Sequence, residues 1–303
     1  MAEIAIRTEA LVKDYGATRG LDGLDMEVMT GEVYGFLGPN GAGKTTTIRL
    51  LLDLIRPSSG SATVLGLAPR ADGIALRRRV GYLASDFVVD GRQTPLELLT
   101  YLGNLRGGVD ANRIDALAQR LDLDMTRKIK TLSRGNRQKV GVVQAFMHEP
   151  ELMILDEPTS GLDPFLQLEF SKMVREAVSE GRTVFMSSHI MSEVQRTADR
   201  VGIIRLGRLI TVEGVEQLRH RARRKVEILF DGPVTSEEFS AVPGVSEVHV
   251  DGPLLRCRLD GRADSLVKAV ARRGVVNITA EEPDLEDLFF DYYDRDGAAD
   301  DAS

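Results

Sequence analysis

The chain has 303 residues, of which 43% are hydrophobic, and a formal net charge of -7. That length accommodates one large α/β domain and a smaller one, and the acidic balance argues against a general nucleic-acid binder, which wants a basic surface. The single cysteine, Cys257, excludes an intrachain disulfide framework and suits a reducing compartment. The first residues, Met1 to Ile6, lack the basic start and apolar run of a signal peptide. No apolar stretch approaches the ~18–20 residues of a spanning helix, so any membrane role is expected to come through a partner.

In chain order, residues 1–35 mix strand-like runs (Ile4 to Ile6, Leu24 to Met29) with Gly16, Gly20, Gly23 and Gly31, which predicts a small antiparallel sheet. Tyr15 falls at a turn between those strands, where an aromatic ring can stack on an adenine. Glu32 to Leu37 reads as a buried strand, and Thr47 to Ile55 as a helix with an apolar face. Between them lie Gly38, Pro39, Asn40, Gly41, Ala42, Gly43, Lys44, Thr45 and Thr46. This run fits the phosphate-binding loop G-x-x-x-x-G-K-[ST] in its strand–loop–helix context. Glycines let backbone N–H groups turn toward phosphate oxygens, and the helix N-terminus adds a positive dipole end. Lys44 can reach the β- and γ-phosphates, and the Thr45 hydroxyl can hold Mg²⁺.

Arg56 to Gly60 stops the first helix, and Ser61 to Val64 resumes as a strand. The run Gly81 to Asp86 follows three arginines, and Thr94 to Gln119 is helical with turns near Gly107 and Gly108. Thr94, Pro95 and Glu97 make a strong helix start. Leu132-Ser-Arg-Gly-Asn136 opens another helix through Met147, with Ser133 as its N-cap and Gly135 allowing close backbone approach. Glu151 to Glu157 is an apolar run ending in two acids, Asp156 and Glu157. Beside a phosphate loop, Asp156 would hold Mg²⁺ and Glu157 would polarise the attacking water.

Pro158 to Pro164 is a turn, followed by a helix with Leu166, Phe170, Met173, Val174 and Val178 at helical spacing. Thr183 to Ser188 is a buried strand ending at His189, near where a γ-phosphate would lie. Val201 to Ile204 and Arg208 to Thr211 look like closing strands. The basic run 219–225 reads as a solvated linker or helix face. Beyond it, strand-like Val226 to Phe230, Leu255 to Leu259 and Val275 to Ile278 alternate with a helix over Asp264 to Arg272, a small α+β domain. Pro283 to Tyr292 places Leu285, Leu288, Phe289 and Tyr292 on one helical face, and the acidic end from Asp294 reads as disordered.

Taken as an ordered set over about residues 3–215, these motifs resemble the nucleotide-binding subunit of an ABC transporter. Gly38 to Thr46 match the Walker A loop, and Leu152 to Glu157 match Walker B with its adjoining catalytic glutamate. Leu132 to Asn136 resembles the L-S-G-G-Q signature, Ser160 to Asp163 the D-loop, His189 the switch histidine and Tyr15 the adenine-stacking aromatic. Two departures stand out. Arg134 and Asn136 replace the commonest glycine and glutamine of the signature, and Ser85, followed by Asp86, stands where the Q-loop glutamine is usual. A serine hydroxyl would reach Mg²⁺ only through water.

The resemblance implies a P-loop NTPase fold with a RecA-like core, an N-terminal antiparallel β subdomain and a helical signature subdomain over about 84–150. The ATP-binding domain would span 1–217, the accessory α+β domain 218–292 and the tail 293–303. It implies ATP and Mg²⁺ as cofactors and ATP hydrolysis by Glu157, His189 and Lys44. Nucleotide would be bound by Tyr15, Gly38 to Thr46, Ser133, Gly135, Asn136 and Asp163, and metal by Thr45, Asp156 and Ser85. The implied partners are an integral membrane permease and a second copy, or a homologous ATPase, packed head to tail; no nucleic acid is expected. The location would be the cytoplasmic face of the cell membrane. The signature variant and the ending Asp284 to Tyr293 are similar to ATPases of bacterial drug and antibiotic exporters. An importer ATPase and a soluble ATP-driven switch are the alternatives, the latter usually carrying two heads or a long coiled coil that this chain lacks.

Overall fold

The computed structural model describes residues 3–16, 18–89, 91–221 and 224–280, with His220 and Arg221 as backbone alone. The chain divides into two compact units between Glu213 and Gly214.

In the first unit, β1 (Ile4–Tyr15) and β2 (Thr18–Met29) form an antiparallel hairpin. β3 (Val33–Leu37) leads through the glycine loop into α1 (Lys44–Leu51), and β4 (Ser59–Val64) returns to pair with β1. Next come α2 (Gly73–Arg79), β5 (Val80–Leu83), α3 (Pro95–Leu105), α4 (Ala111–Arg120) and α5 (Arg134–Phe146). The unit closes with β6 (Leu152–Asp156), α6 (Pro164–Ser179), β7 (Thr183–Ser188), α7 (Met191–Thr197), β8 (Arg200–Arg205) and β9 (Arg208–Gly214).

Two sheets result: β2-β1-β4, and a six-stranded sheet in the order β5-β6-β7-β3-β8-β9. Strands β3, β6 and β7 are buried along their whole length and are mostly apolar, as parallel strands covered on both faces are, with polar residues at the ends of β6 and β7. Their register is what builds the site. Asp156 of β6 pairs with Ser187 of β7, and Leu37 of β3 pairs with Ser188, so three strand ends deliver their loops to one edge. Beneath that edge Phe185 stacks on Tyr34 (centroids 5.8 Å apart) and packs against Phe36 (5.3 Å).

The helical part begins as the sequence predicts. Thr94 accepts from the Glu97 N–H while the Glu97 carboxylate accepts from the Thr94 N–H, with Pro95 in the first turn. Arg120 of α4 pairs with Glu169 (2.7 Å) and Glu176 (2.5 Å) of α6, tying the helical part to the core.

The second unit contains α8 (Val215–Arg221), β10 (Arg224–Phe230), α9 (Glu237–Ser240), β11 (Val245–Asp251), β12 (Leu254–Leu259), α10 (Asp264–Val270) and β13 (Val275–Ala280). From β10 onward the sequence is β-α-β-β-α-β, with an antiparallel sheet in the order β11-β12-β10-β13. This is the split βαβ arrangement of ferredoxin-like domains. Ile228, Phe230, Phe239, Leu255 and Leu266 fill its core, and burial there pushes the Cys257 thiol up.

Some boundaries differ from the expectation. The first helix spans Lys44–Leu51, not 47–55, because Gly43 caps it and Asp53, at φ 53°, turns the chain away. Four helices, α2, α7, α8 and α9, are too short to show a repeating apolar face. β11 escaped notice because a bulge between Ser246 and His249 interrupts its alternation. The basic run 219–225 bridges the end of α8 and the start of β10. The segment 283–292 and the acidic end lie outside the described residues.

Candidate functional site

The glycine loop follows β3 and becomes the first turn of α1. Gly43 caps that helix at φ 112°, and a side chain there would strike the Gly20 carbonyl and Leu21. This seats the hairpin of β1 and β2 against the loop. Lys44, 6% exposed, extends back along the loop and donates to the carbonyls of Gly38 (2.6 Å) and Pro39 (3.1 Å). Its ammonium also meets Glu157 Oε1 at 3.2 Å. Phosphate oxygens are acceptors of the same kind as these carbonyl and carboxylate oxygens.

Asp156 is fully buried at the end of β6. Its Oδ2 accepts from the Thr45 hydroxyl (2.8 Å) and its Oδ1 from the Ser187 hydroxyl (2.6 Å). The Ser187 oxygen in turn accepts from the Glu157 N–H at 3.0 Å. Burial and the Asp156 charge raise the pKa of the nearby Tyr82 phenol above its ordinary value. Glu157 occupies the left-handed region at φ 49°, a conformation that costs a non-glycine residue about 1–2 kcal/mol. The resulting kink turns its carboxylate out of the strand toward Lys44 and toward His189, whose Nδ1 lies 2.7 Å from Oε2.

These groups border a cavity of about 610 Å³, a size suited to a nucleotide. Of the residues expected to bind nucleotide or metal or to act in catalysis, Tyr15, Pro39, Asn40, Gly41, Gly43, Lys44, Thr45, Thr46, Ser85, Glu157 and His189 line it together. Gly38, Ala42 and Asp156 do not line it, though Gly38 bonds to Lys44 and Asp156 to Thr45, which do. Ser133, Gly135, Asn136 and Asp163 do not line it. The Ser133 hydroxyl oxygen accepts from the Asn136 N–H and caps α5, while the Asp163 carboxylate accepts from the N–H groups of Phe165 and Leu166 and caps α6.

Sequence reasoning missed Thr18, Arg19, Gly20, Arg134 and Ser160, which also line the cavity, and Ser187, which holds Asp156. Ser187 reaches the site through strand pairing, which carries no local sequence signal. Arg134 had one: a bulky cation where the resembling family prefers glycine.

The oxygen donors Thr45, Asp156 and Ser85 suit a hard divalent cation such as Mg²⁺, which takes one carboxylate, hydroxyls, waters and substrate phosphates. Among the described residues there is no cluster of three or more His, Cys, Asp or Glu side chains that could hold a metal ion.

The profile described as ABC transporter matches residues 21–160. The bacitracin transport ATP-binding protein BcrA of Bacillus licheniformis is 36% identical over 94% of this chain and 95% of its own length. The chain belongs to the ABC transporter ATP-binding proteins. The daunorubicin resistance ATP-binding protein DrrA3 of Streptomyces coeruleorubidus is 34% identical over 95% and 96% of the two chains. Among solved structures, the ATP-binding subunit of an ABC transporter superposes with a TM-score of 0.65 at 28% identity, covering 71% of this chain and 92% of the other. No described helix is long and apolar enough to cross a membrane.

Proposed function

We propose that this chain hydrolyses MgATP and, docked on a separate membrane permease at the cytoplasmic face, drives export of a drug-like hydrophobic compound. The observation that carries hydrolysis is the convergence of Lys44, the Thr45–Asp156 pair and the Glu157–His189 pair on one cavity. Export is supported by relatives named for bacitracin transport and daunorubicin resistance, aligned over nearly the whole chain.

Each residue has a stated task. Lys44 exchanges its loop carbonyls for phosphate oxygens. Thr45 and Asp156 would hold Mg²⁺, which supplies charge neutralisation across the β- and γ-oxygens. Glu157 orients water for in-line attack, and His189 steadies the carboxylate and donates toward the γ-phosphate. Tyr15 stacks on the base. Ser133 and Gly135 point their helix start at the nucleotide of a second copy, or of a homologous ATPase, packed head to tail.

The experiment is purification in detergent of the tagged chain expressed with its neighbouring genes, followed by an ATPase assay on the product. A multispanning partner with vanadate-sensitive turnover, and drug movement in oriented vesicles, is the expected outcome. A chain that turns over ATP but captures no membrane protein overturns the transport reading.

A further inference from the structure

Three contacts tie the first turns of α5 to the loop after β6 within one chain. Gln138, 4% exposed, donates from Nε2 to the Pro158 carbonyl at 3.2 Å and, at longer range, to the Glu157 carbonyl at 3.4 Å. Gly135 lies so close to Gly161 that a Cβ at position 135 would collide with the Gly161 carbonyl. The Arg134 guanidinium reaches the Ser160 hydroxyl at 3.5 Å.

The loop gripped in this way begins at Glu157. Its left-handed backbone persists because the surroundings over-determine it. Its N–H is held by Ser187, its carboxylate meets Lys44 and His189, and its carbonyl faces the Gln138 amide. Ser187 lies in β7, His189 follows it, and Lys44 opens α1. Gln138 comes from the helix whose first residues follow Ser133.

We propose that Gln138 is a positioning residue that makes the aim of Glu157 depend on the placement of the α5 N-terminus. The proposal rests on the reading of Glu157 as the residue that orients water. The buried amide and the glycine contact leave no slack between the two segments, so they move as one body. A phosphate engaged at Ser133 and Gly135 fixes that body, and with it the turn that points the carboxylate at water. Each copy's hydrolytic residue is thereby set by the nucleotide its own signature touches, which lies in the other copy's cavity.

The test uses the full-length chain carrying Gln138→Met, which keeps the length and removes the donor, and the milder Gln138→Asn, which shortens its reach. The measurements are MgATP turnover, binding of a fluorescent ATP analogue, and amide hydrogen exchange. For both variants, kcat is expected to fall about tenfold while KM and analogue affinity stay within about twofold. Exchange over 157–162 should quicken while exchange over 38–46 is unchanged. A purely structural role would lower binding and turnover together, and that result overturns the proposal, as does unchanged kcat with unchanged exchange. If the unsubstituted chain binds the analogue without hydrolysing ATP, the Glu157 reading fails separately, and exchange over 157–162 decides alone: faster supports the coupling, unchanged refutes it.

Discussion

His189 Nδ1 stands 2.7 Å from Glu157 Oε2, so the imidazole and the carboxylate form one hydrogen-bonded unit at the cavity wall. The other carboxylate oxygen meets Lys44 at 3.2 Å. On the proposed mechanism, an incoming phosphate competes for Lys44, while His189 keeps its hold on the carboxylate and leaves it aimed at water.

Glu157→Gln keeps the shape and removes the charge that accepts the water proton. Turnover should fall about 10²–10³-fold, within the range general bases contribute. Affinity for a fluorescent ATP analogue should stay within a few-fold. His189→Ala should lower kcat by about tenfold or more with the same binding. Phosphate release measured beside analogue titration separates the two quantities. Full turnover in the Glu157 variant would remove that residue from the mechanism.

Lys44→Ala acts earlier, on binding. A charge-assisted hydrogen bond contributes about 1.5–3 kcal/mol, so nucleotide affinity should weaken roughly tenfold to a hundredfold. The substitution also leaves Glu157 without its buried counter-charge, so the nucleotide-free chain should melt at a lower temperature. Unchanged affinity would sink the phosphate role of Lys44.

Much of this site is legible in the sequence because its parts are local. The glycine loop, the acids ending β6 and the histidine ending β7 each combine a buried strand with a terminal polar group. Pairings between distant segments carry no such signal. Ser187 serves Asp156 across the sheet, and Gln138 serves the Glu157 turn across 19 residues of chain. Bulges are equally silent. Ala10, at φ 44°, interrupts β1 directly opposite Gly60, and a Cβ at Gly60 would collide with the Ala10 carbonyl. Gly60 also sits at φ 77°, so Gly60→Ala combines a backbone clash with a strained dihedral. The expected loss is about 2–4 kcal/mol of stability, read as a lower urea midpoint at unchanged slope. A midpoint equal to that of the unsubstituted chain would show that the bulge relaxes freely.

His148 gives the fold a pH dependence independent of catalysis. Its Nε2 donates to the Val80 carbonyl at 3.2 Å, joining the end of α5 to the start of β5. Burial, with the Arg106 charge adding to it, pushes its pKa from 6.5 down to about 4. The folded state therefore favours neutral imidazole, and between those two values the unfolded chain binds more protons. Stability from this group is complete above about pH 6.5 and is lost as the pH falls toward 4, with a ceiling of about 3 kcal/mol. Other carboxylates titrate in the same window, so the informative quantity is a difference. His148→Gln keeps a donor for Val80 and cannot take the proton. Its unfolding free energy should fall less steeply than that of the unsubstituted chain between pH 6.5 and 4, by the slope of about one proton. Parallel curves for the two proteins would show that His148 is protonated as readily in the folded chain as in the unfolded one.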